Sequence, residues 1–113
     1  MRRSAELSGS AALFAALGDE TRLRIVVRLA AGAPLSISRL AEDTTLTRQA
    51  ITKHLHVLEG AQLIRGARKG REQLWELNPG QVAEARRALD RIAQQWDARL
   101  VRLKETLEAE EKD

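Results

Sequence analysis

Leu13, Phe14 and Leu17 recur at the three- and four-residue spacing of an amphipathic helix, which predicts a first helix over residues 10–17 after a flexible lead of residues 1–9. Gly18 closes that helix, because glycine tolerates the left-handed conformation of a helix end. Asp19 is placed to cap a second helix over residues 20–31. Its buried stripe reads Leu23, Val26, Val27 and Ala30, widened by Ile25 and Leu29. The segment Ala31-Gly32-Ala33-Pro34 breaks the pattern.

Two shorter helices follow. Ser36 can cap one that runs through Leu40 and Ala41 to Glu42, and Asp43-Thr44-Thr45 makes a tight turn. Thr47 can cap the next, which runs to Glu59 and is ended by Gly60. Its apolar positions Ala50, Ile51, Leu55 and Leu58 fix one face inward, while Arg48, Gln49, Thr52, Lys53 and His56 lie opposite. Between Gln62 and Leu77 the period changes. Leu63-Ile64-Arg65 and Gln73-Leu74-Trp75-Glu76-Leu77 are strand-like and flank a basic loop, Gly66 to Arg71, which together read as a two-stranded hairpin. A lone hairpin is marginal in water and must lie against the helices.

The final segment is the longest. Asn78 can cap it, Pro79 suits the first helical position and Gln81 completes an approximate capping box. A helix over residues 79–111 is about 50 Å long at about 1.5 Å per residue. Its stripe reads Val82, Ala85, Leu89, Ile92, Trp96, Leu100, Leu103 and Leu107, a heptad pattern with a four-residue insertion near Trp96. Packing on its own domain accounts for the stripe as far as Ile92. Beyond that, the apolar positions require a partner. The chain thus reads as mainly α with a small β-hairpin in the order ααααββα, a winged helix-turn-helix over residues 10–78 with a dimerisation helix over 79–113.

Composition narrows the picture. The 113 residues fit one domain, and with 43% hydrophobic but 3% aromatic residues the core must be built from aliphatic side chains, as helical proteins allow. The net charge of +3 is unevenly spread. Residues 44–71 hold Arg48, Lys53, Arg65, Arg68, Lys69 and Arg71 against the single acid Glu59, whereas the stretch from Lys104 onward is acidic. A phosphate-contacting surface leaves such an imprint. The absence of cysteine excludes disulfides, thiolate metal sites and cysteine nucleophiles. No apolar run approaches the roughly 20 residues of a membrane span. The polar stretch after Met1-Arg2-Arg3 is unlike a signal peptide, so a cytoplasmic protein with no membrane partner is expected.

A helix fits the major groove of B-DNA and reads base edges with its N-terminal residues. Thr47, Arg48, Gln49 and Thr52 are therefore the candidate base readers, Arg48 for guanine and Gln49 for adenine. Lys53, His54, His56, Arg65, Arg68, Lys69 and Arg71 are the candidate backbone contacts. No nucleophile–base set, glycine-rich phosphate loop or pair of carboxylates in an apolar setting points to an enzyme.

The run from Leu13 to Ile25 (LFAALGDETRLRI) and the run from Leu46 to Leu58 (LTRQAITKHLHVL) together resemble the ArsR/SmtB transcriptional repressors. The resemblance implies a homodimer formed by the first and last helices, here through Leu13, Phe14, Leu17, Leu89, Ile92, Trp96, Leu100, Leu103 and Leu107, that presents two recognition helices to palindromic double-stranded DNA. It also shows where metal-sensing members hold their ligands. Ser36 and Ser38 stand at the two thiolate positions, and the last helix has Asp90 and Asp97 but no histidine. A hydroxyl is a poor ligand for thiophilic metals. His54 and His56 diverge by about 200° on one helix and cannot share an ion. The reading is a repressor with no metal or other cofactor. A protein-interaction module, or a repressor whose effector is a small apolar molecule at the dimer seam, is the alternative.

Overall fold

The computed structural model describes the backbone of residues 2–112 and the side chains of residues 9–111; Met1 and Asp113 lie outside. The elements are α1 (Arg2–Leu17), α2 (Glu20–Ala30), α3 (Ile37–Ala41), α4 (Arg48–Gly60), β1 (Ile64–Lys69), β2 (Glu72–Leu77) and α5 (Pro79–Lys112). The order is the expected ααααββα. α1 begins well before Ser10, so the stretch expected as a flexible lead is helical in its backbone. Ala5, Glu6 and Leu7 are good helix formers and carry the helix through Gly9.

The core is a single cluster, aliphatic apart from one tryptophan: Leu13 and Ala16 of α1, Ile25 and Leu29 of α2, Leu40 of α3, Ile51, Leu55 and Leu58 of α4, then Leu63, Ile64, Trp75 and Ala85. The buried face of α2 differs from the expected stripe, since Leu23, Val27 and Ala30 are exposed while Ile25 and Leu29 are buried. The apolar positions of α2 span about half of its circumference, so periodicity does not choose which part of that arc is buried. Packing against α1 and α4 does.

The hairpin is longer than its sequence pattern suggested. Strand pairing runs from Ile64 opposite Leu77 to Lys69 opposite Glu72, which places Gly66, Ala67, Arg68 and Lys69 in β1 and leaves only Gly70 and Arg71 as the turn. Gly70 takes φ +65° at the first turn position, and Arg71 is not among the positive-φ residues. This is the glycine placement of a type II′ hairpin, whose twist matches that of the strands. Gly66 lies opposite Trp75. A Cβ there would run into the Gln73 side chain and touch the Trp75 ring. Leu35 bridges to Trp75 through two backbone hydrogen bonds of 3.0 and 2.8 Å, which ties the hairpin to the segment leading into α3. Nε1 of buried Trp75 has no hydrogen-bond partner among the described residues.

Two helix ends are closed differently from the expectation. Gly18 does not take a left-handed φ; its amide bonds the Ala15 carbonyl in a tighter last turn. At the end of α4 the left-handed residue is Gln62, at φ 62°, and not Gly60, which is still helical. The Gln62 amide donates to the Glu59 carbonyl and the Leu63 amide to that of Leu58, the two bonds of a Schellman motif, with buried Leu63 and Leu58 in the accompanying apolar positions. The side chains of Asn78 and Gln81, expected to cap α5, instead donate to the exposed carbonyls of Gln62 and Ala61 at 3.0 and 2.9 Å. They bind the start of α5 to the end of α4.

α5 leaves the domain after its third turn. Ala85 and Ala88 are buried; every described residue from Leu89 onward is exposed. Burial against the described part of its own domain thus stops at Ala88, short of the expected Ile92. The projecting helix gives the molecule its 73 × 34 × 22 Å extents.

Leu55 has no solvent-accessible surface, and Leu55→Ala is expected to cost about 2–5 kcal/mol in denaturant unfolding. Gln62→Gly removes the Cβ from a left-handed backbone and is expected to stabilise by about 0.5–1 kcal/mol, read as a higher midpoint of thermal unfolding. An unchanged or lowered midpoint would contradict the role given to Gln62.

Candidate nucleic-acid interface

α3, the turn and α4 are built by short polar side chains bonding to the orphan amides of helix starts. Ser36, nearly buried, accepts from the Arg39 amide at 3.3 Å. In the turn Thr44 Oγ1 accepts from the Leu46 amide at 3.1 Å, and Thr47 Oγ1 accepts from the Ala50 amide at 3.1 Å. Arg28 of α2 closes the far end of α3. Its Nη1 donates to the carbonyls of Arg39 and Leu40 and lies 3.4 Å from the Asp43 carboxylate.

The back of α4 is sealed: Ile51, Leu55 and Leu58 are at or below 1% exposure. With that face fixed, Arg48, Gln49, Lys53 and His56 are held outward and exposed. Thr47 also lies on the surface, though its oxygen already accepts a cap bond. Thr52 is half-buried, and its hydroxyl donates to the Arg48 carbonyl at 2.8 Å, so its methyl and remaining lone pairs are what it can offer a ligand.

His54 stands apart from the other cation candidates. Its side chain is mostly covered and turned toward α2, with Nδ1 3.4 Å from Arg22 Nη1 and 3.9 Å from the Asp19 carboxylate. It was expected among the backbone contacts, but the groove beside α2 takes it in. Asp19 is both the cap of α2, accepting from the Arg22 amide at 3.1 Å, and the acid facing His54. That amide hydrogen bond holds the Asp19 carboxyl below the usual carboxylate range; partial desolvation opposes it, and the charges of Arg22 and His54 and the Thr21 amide add to it.

Of the wing cations, Arg65 pairs with Glu76 across the strands at 2.8 Å, so its charge is partly neutralised. Arg68, Lys69 and Arg71 are exposed at and beside the hairpin tip and have no ion-pair partner among the described residues. The residues expected at a dimer seam divide. Leu13 is fully used by the domain's own core, and Phe14 and Leu17 are half-buried against it. Leu89, Ile92, Trp96, Leu100, Leu103 and Leu107 are 45–60% exposed on α5. Among the described residues no three His, Asp or Glu side chains gather as a metal site would require, and no helix is long and apolar enough to cross a membrane. Sequence reasoning missed Arg22 and Arg28 as organising residues. Nothing in the local pattern distinguishes them from Arg24 on the same helix, which only pairs with Glu20 one turn away.

A capped helix with a sealed back and an exposed polar front, preceded by a short helix and turn and followed by a cationic hairpin, is a winged helix-turn-helix. Residues 17–67 match the sequence model described as a helix-turn-helix domain. The chain is 37% identical over 98 residues to the HTH-type transcriptional regulator Rv2034 of Mycobacterium tuberculosis, spanning 87% of this chain and 88% of that one. Among solved structures, an ArsR-like transcriptional regulator from Rhodococcus sp. RHA1 superimposes with a TM-score of 0.75 at 38% identity, covering 88% of this chain and 92% of that one. The homodimeric winged helix-turn-helix DNA-binding domain of Mb0332 from Mycobacterium bovis shares the fold, with a TM-score of 0.65 at 23% identity and 88% of each chain covered. The chain belongs to the ArsR family of winged helix-turn-helix transcriptional regulators. It is a DNA-binding protein of transcription regulation.

Because the folded state holds Asp19 more acidic than the unfolded chain does, its contribution to stability is present above the usual carboxylate range and is lost as pH falls through it. Asp19→Asn keeps a capping oxygen and removes the titration. Acid unfolding followed by circular dichroism should therefore be less steep between about pH 5 and pH 3 in the variant, and an identical acid limb would contradict the assignment.

Proposed function

We propose that this protein is a sequence-specific repressor that binds a palindromic operator as a homodimer in the cytoplasm, without a metal effector. One observation carries the reading: the N-terminal turn of α4 exposes Arg48 and Gln49 while the opposite face of the same helix is sealed in the core. A helix so anchored turns those side chains away from the core. Arg48 can bond the O6 and N7 of guanine with both arms of its fork, and Gln49 can bond the N6 and N7 of adenine. Thr47 and the Thr52 methyl fit beside them against phosphate or a thymine methyl. Lys53 and His56 lie further along the same front, and Arg68, Lys69 and Arg71 extend the cationic surface along the wing, where contact with phosphate requires charge and little geometry.

Dimerisation is supported by the exposed stripe of α5 from Leu89 to Leu107 and by the homodimeric fold relative. Leu13 is already consumed by the core, so of the three α1 residues expected at the seam Phe14 and Leu17 are left to contribute. A two-fold pair of reading helices calls for a two-fold operator. Independence from metal rests on the donor set, since the sequence contains no thiolate and its two histidines are both on α4.

Arg48→Ala or Gln49→Ala is expected to cost about 1–3 kcal/mol in binding to a duplex selected from a random-sequence pool, and to relax preference at one base position. Lys69→Ala should instead weaken all duplexes about equally and reduce the salt dependence of log K by about one phosphate's worth. Fluorescence anisotropy titrations at several salt concentrations separate the two. Unaltered sequence preference in both α4 variants would defeat the assignment of α4 as the reading helix.

A further inference from the structure

Arg22 uses its whole guanidinium group. Nε donates to the Ala16 carbonyl at 2.6 Å and Nη2 to the Ala15 carbonyl at 3.3 Å, both at the end of α1. Nη1 reaches the His54 imidazole on α4 at 3.4 Å. One planar cation thus holds the last turn of α1 and the middle of α4 together, from a position on α2 that the Asp19 cap fixes through the Arg22 amide. The aliphatic contacts of Ile51, Leu55 and Leu58 pull α4 against the core but do not have a direction. They resist withdrawal of the helix more strongly than a small rotation about its axis. The bond to His54 is directional and lies to one side of that buried face, where it opposes rotation.

We infer that Arg22 is a positioning residue that sets the rotation of α4 relative to α1 and, because α1 packs against α5, relative to the helix pair proposed to form the dimer. The inference rests on the reading of α4 given above. Its consequence is specific. Rotating α4 by a few degrees displaces Arg48 and Gln49 from base edges, where bidentate bonds tolerate little error, but leaves the cations close enough to phosphate. Loss of the link should therefore lower operator affinity and spare affinity for unrelated DNA. Lysine cannot replace arginine here, because a single ammonium cannot serve two carbonyls and an imidazole in fixed directions. Asparagine can replace His54, because its side-chain oxygen falls near the place of Nδ1 and accepts the same bond.

The test uses the full chain and two duplexes: one selected by the wild type from a random-sequence pool, and one of scrambled sequence. Arg22→Lys and His54→Ala are each expected to lose about tenfold in affinity for the selected duplex, a typical size for coupling through one contact. Scrambled-duplex affinity and the salt slope should stay at the wild-type level. The double variant should be no worse than either single one, and His54→Asn should bind like the wild type. Additive losses, equal losses on both duplexes, or His54→Asn behaving like His54→Ala would overturn the link. If Arg22→Lys does not fold, the contrast between His54→Ala and His54→Asn decides alone. Selective binding retained by every variant would overturn the link and leave the reading of α4 standing. A wild type that enriches no sequence from the pool would overturn both.

Discussion

The burial of one face of α4 is the constraint on which the rest of the molecule depends. Ile51, Leu55 and Leu58 meet side chains from α1, α2, α3 and the start of the hairpin, and each of those elements reaches the core by packing there. Fully burying three aliphatic side chains is worth on the order of 5–9 kcal/mol before the entropy of ordering the helix is counted. That is comparable to the whole stability of a small domain. Since the helix has only one face to bury, the same event decides which side chains remain outside. The front of α4 is exposed as a result of how its back is packed.

Around that centre, polar side chains bind the elements at their ends. Arg28 closes α3, Arg22 closes α1 and reaches α4, and Asn78 and Gln81 fasten the start of α5 to the carbonyls just after α4. A small core leaves many helix termini near the surface, where each unpaired carbonyl or amide competes with water for a partner. Long side chains from neighbouring helices satisfy them and fix relative orientation at the same time. The ends of α4 are instead closed locally, the first by the Thr47 side chain and the second by the backbone bonds of the Schellman turn through Gln62.

α5 answers to a different constraint. Its first turns bury only alanines, and beyond Ala88 its larger apolar side chains face solvent in the single chain. A helix whose stripe of Leu89, Ile92, Trp96, Leu100, Leu103 and Leu107 is left open cannot be accounted for by this domain alone. The hairpin is simpler: it needs Trp75 in the core, a glycine opposite that ring and the Leu35 bridge, and its tip is then free to carry cations.

The order of elements, the two capped helices, the apolar seam of α4, the hairpin and the long last helix could be read from local patterns, because caps and periodicity are properties of neighbouring residues. So could the outward set of Arg48, Gln49, Lys53 and His56, since a helix with three buried positions has no freedom to place the opposite ones elsewhere. What required the tertiary structure was every choice that the local pattern left balanced. The apolar arc of α2 covers about half of its circumference, and only its neighbours selected Ile25 and Leu29 over Leu23 and Val27 within it. His54 lies between the buried and exposed faces of α4, and only the approach of Arg22 and Asp19 drew it inward. Asn78 and Gln81 could cap their own helix, but the carbonyls of Gln62 and Ala61 beyond α4 lay within reach and took them. Periodicity assigns a residue to a face; which groups meet across the gap between two helices depends on side chains far apart in the chain, and only the folded packing brings them together.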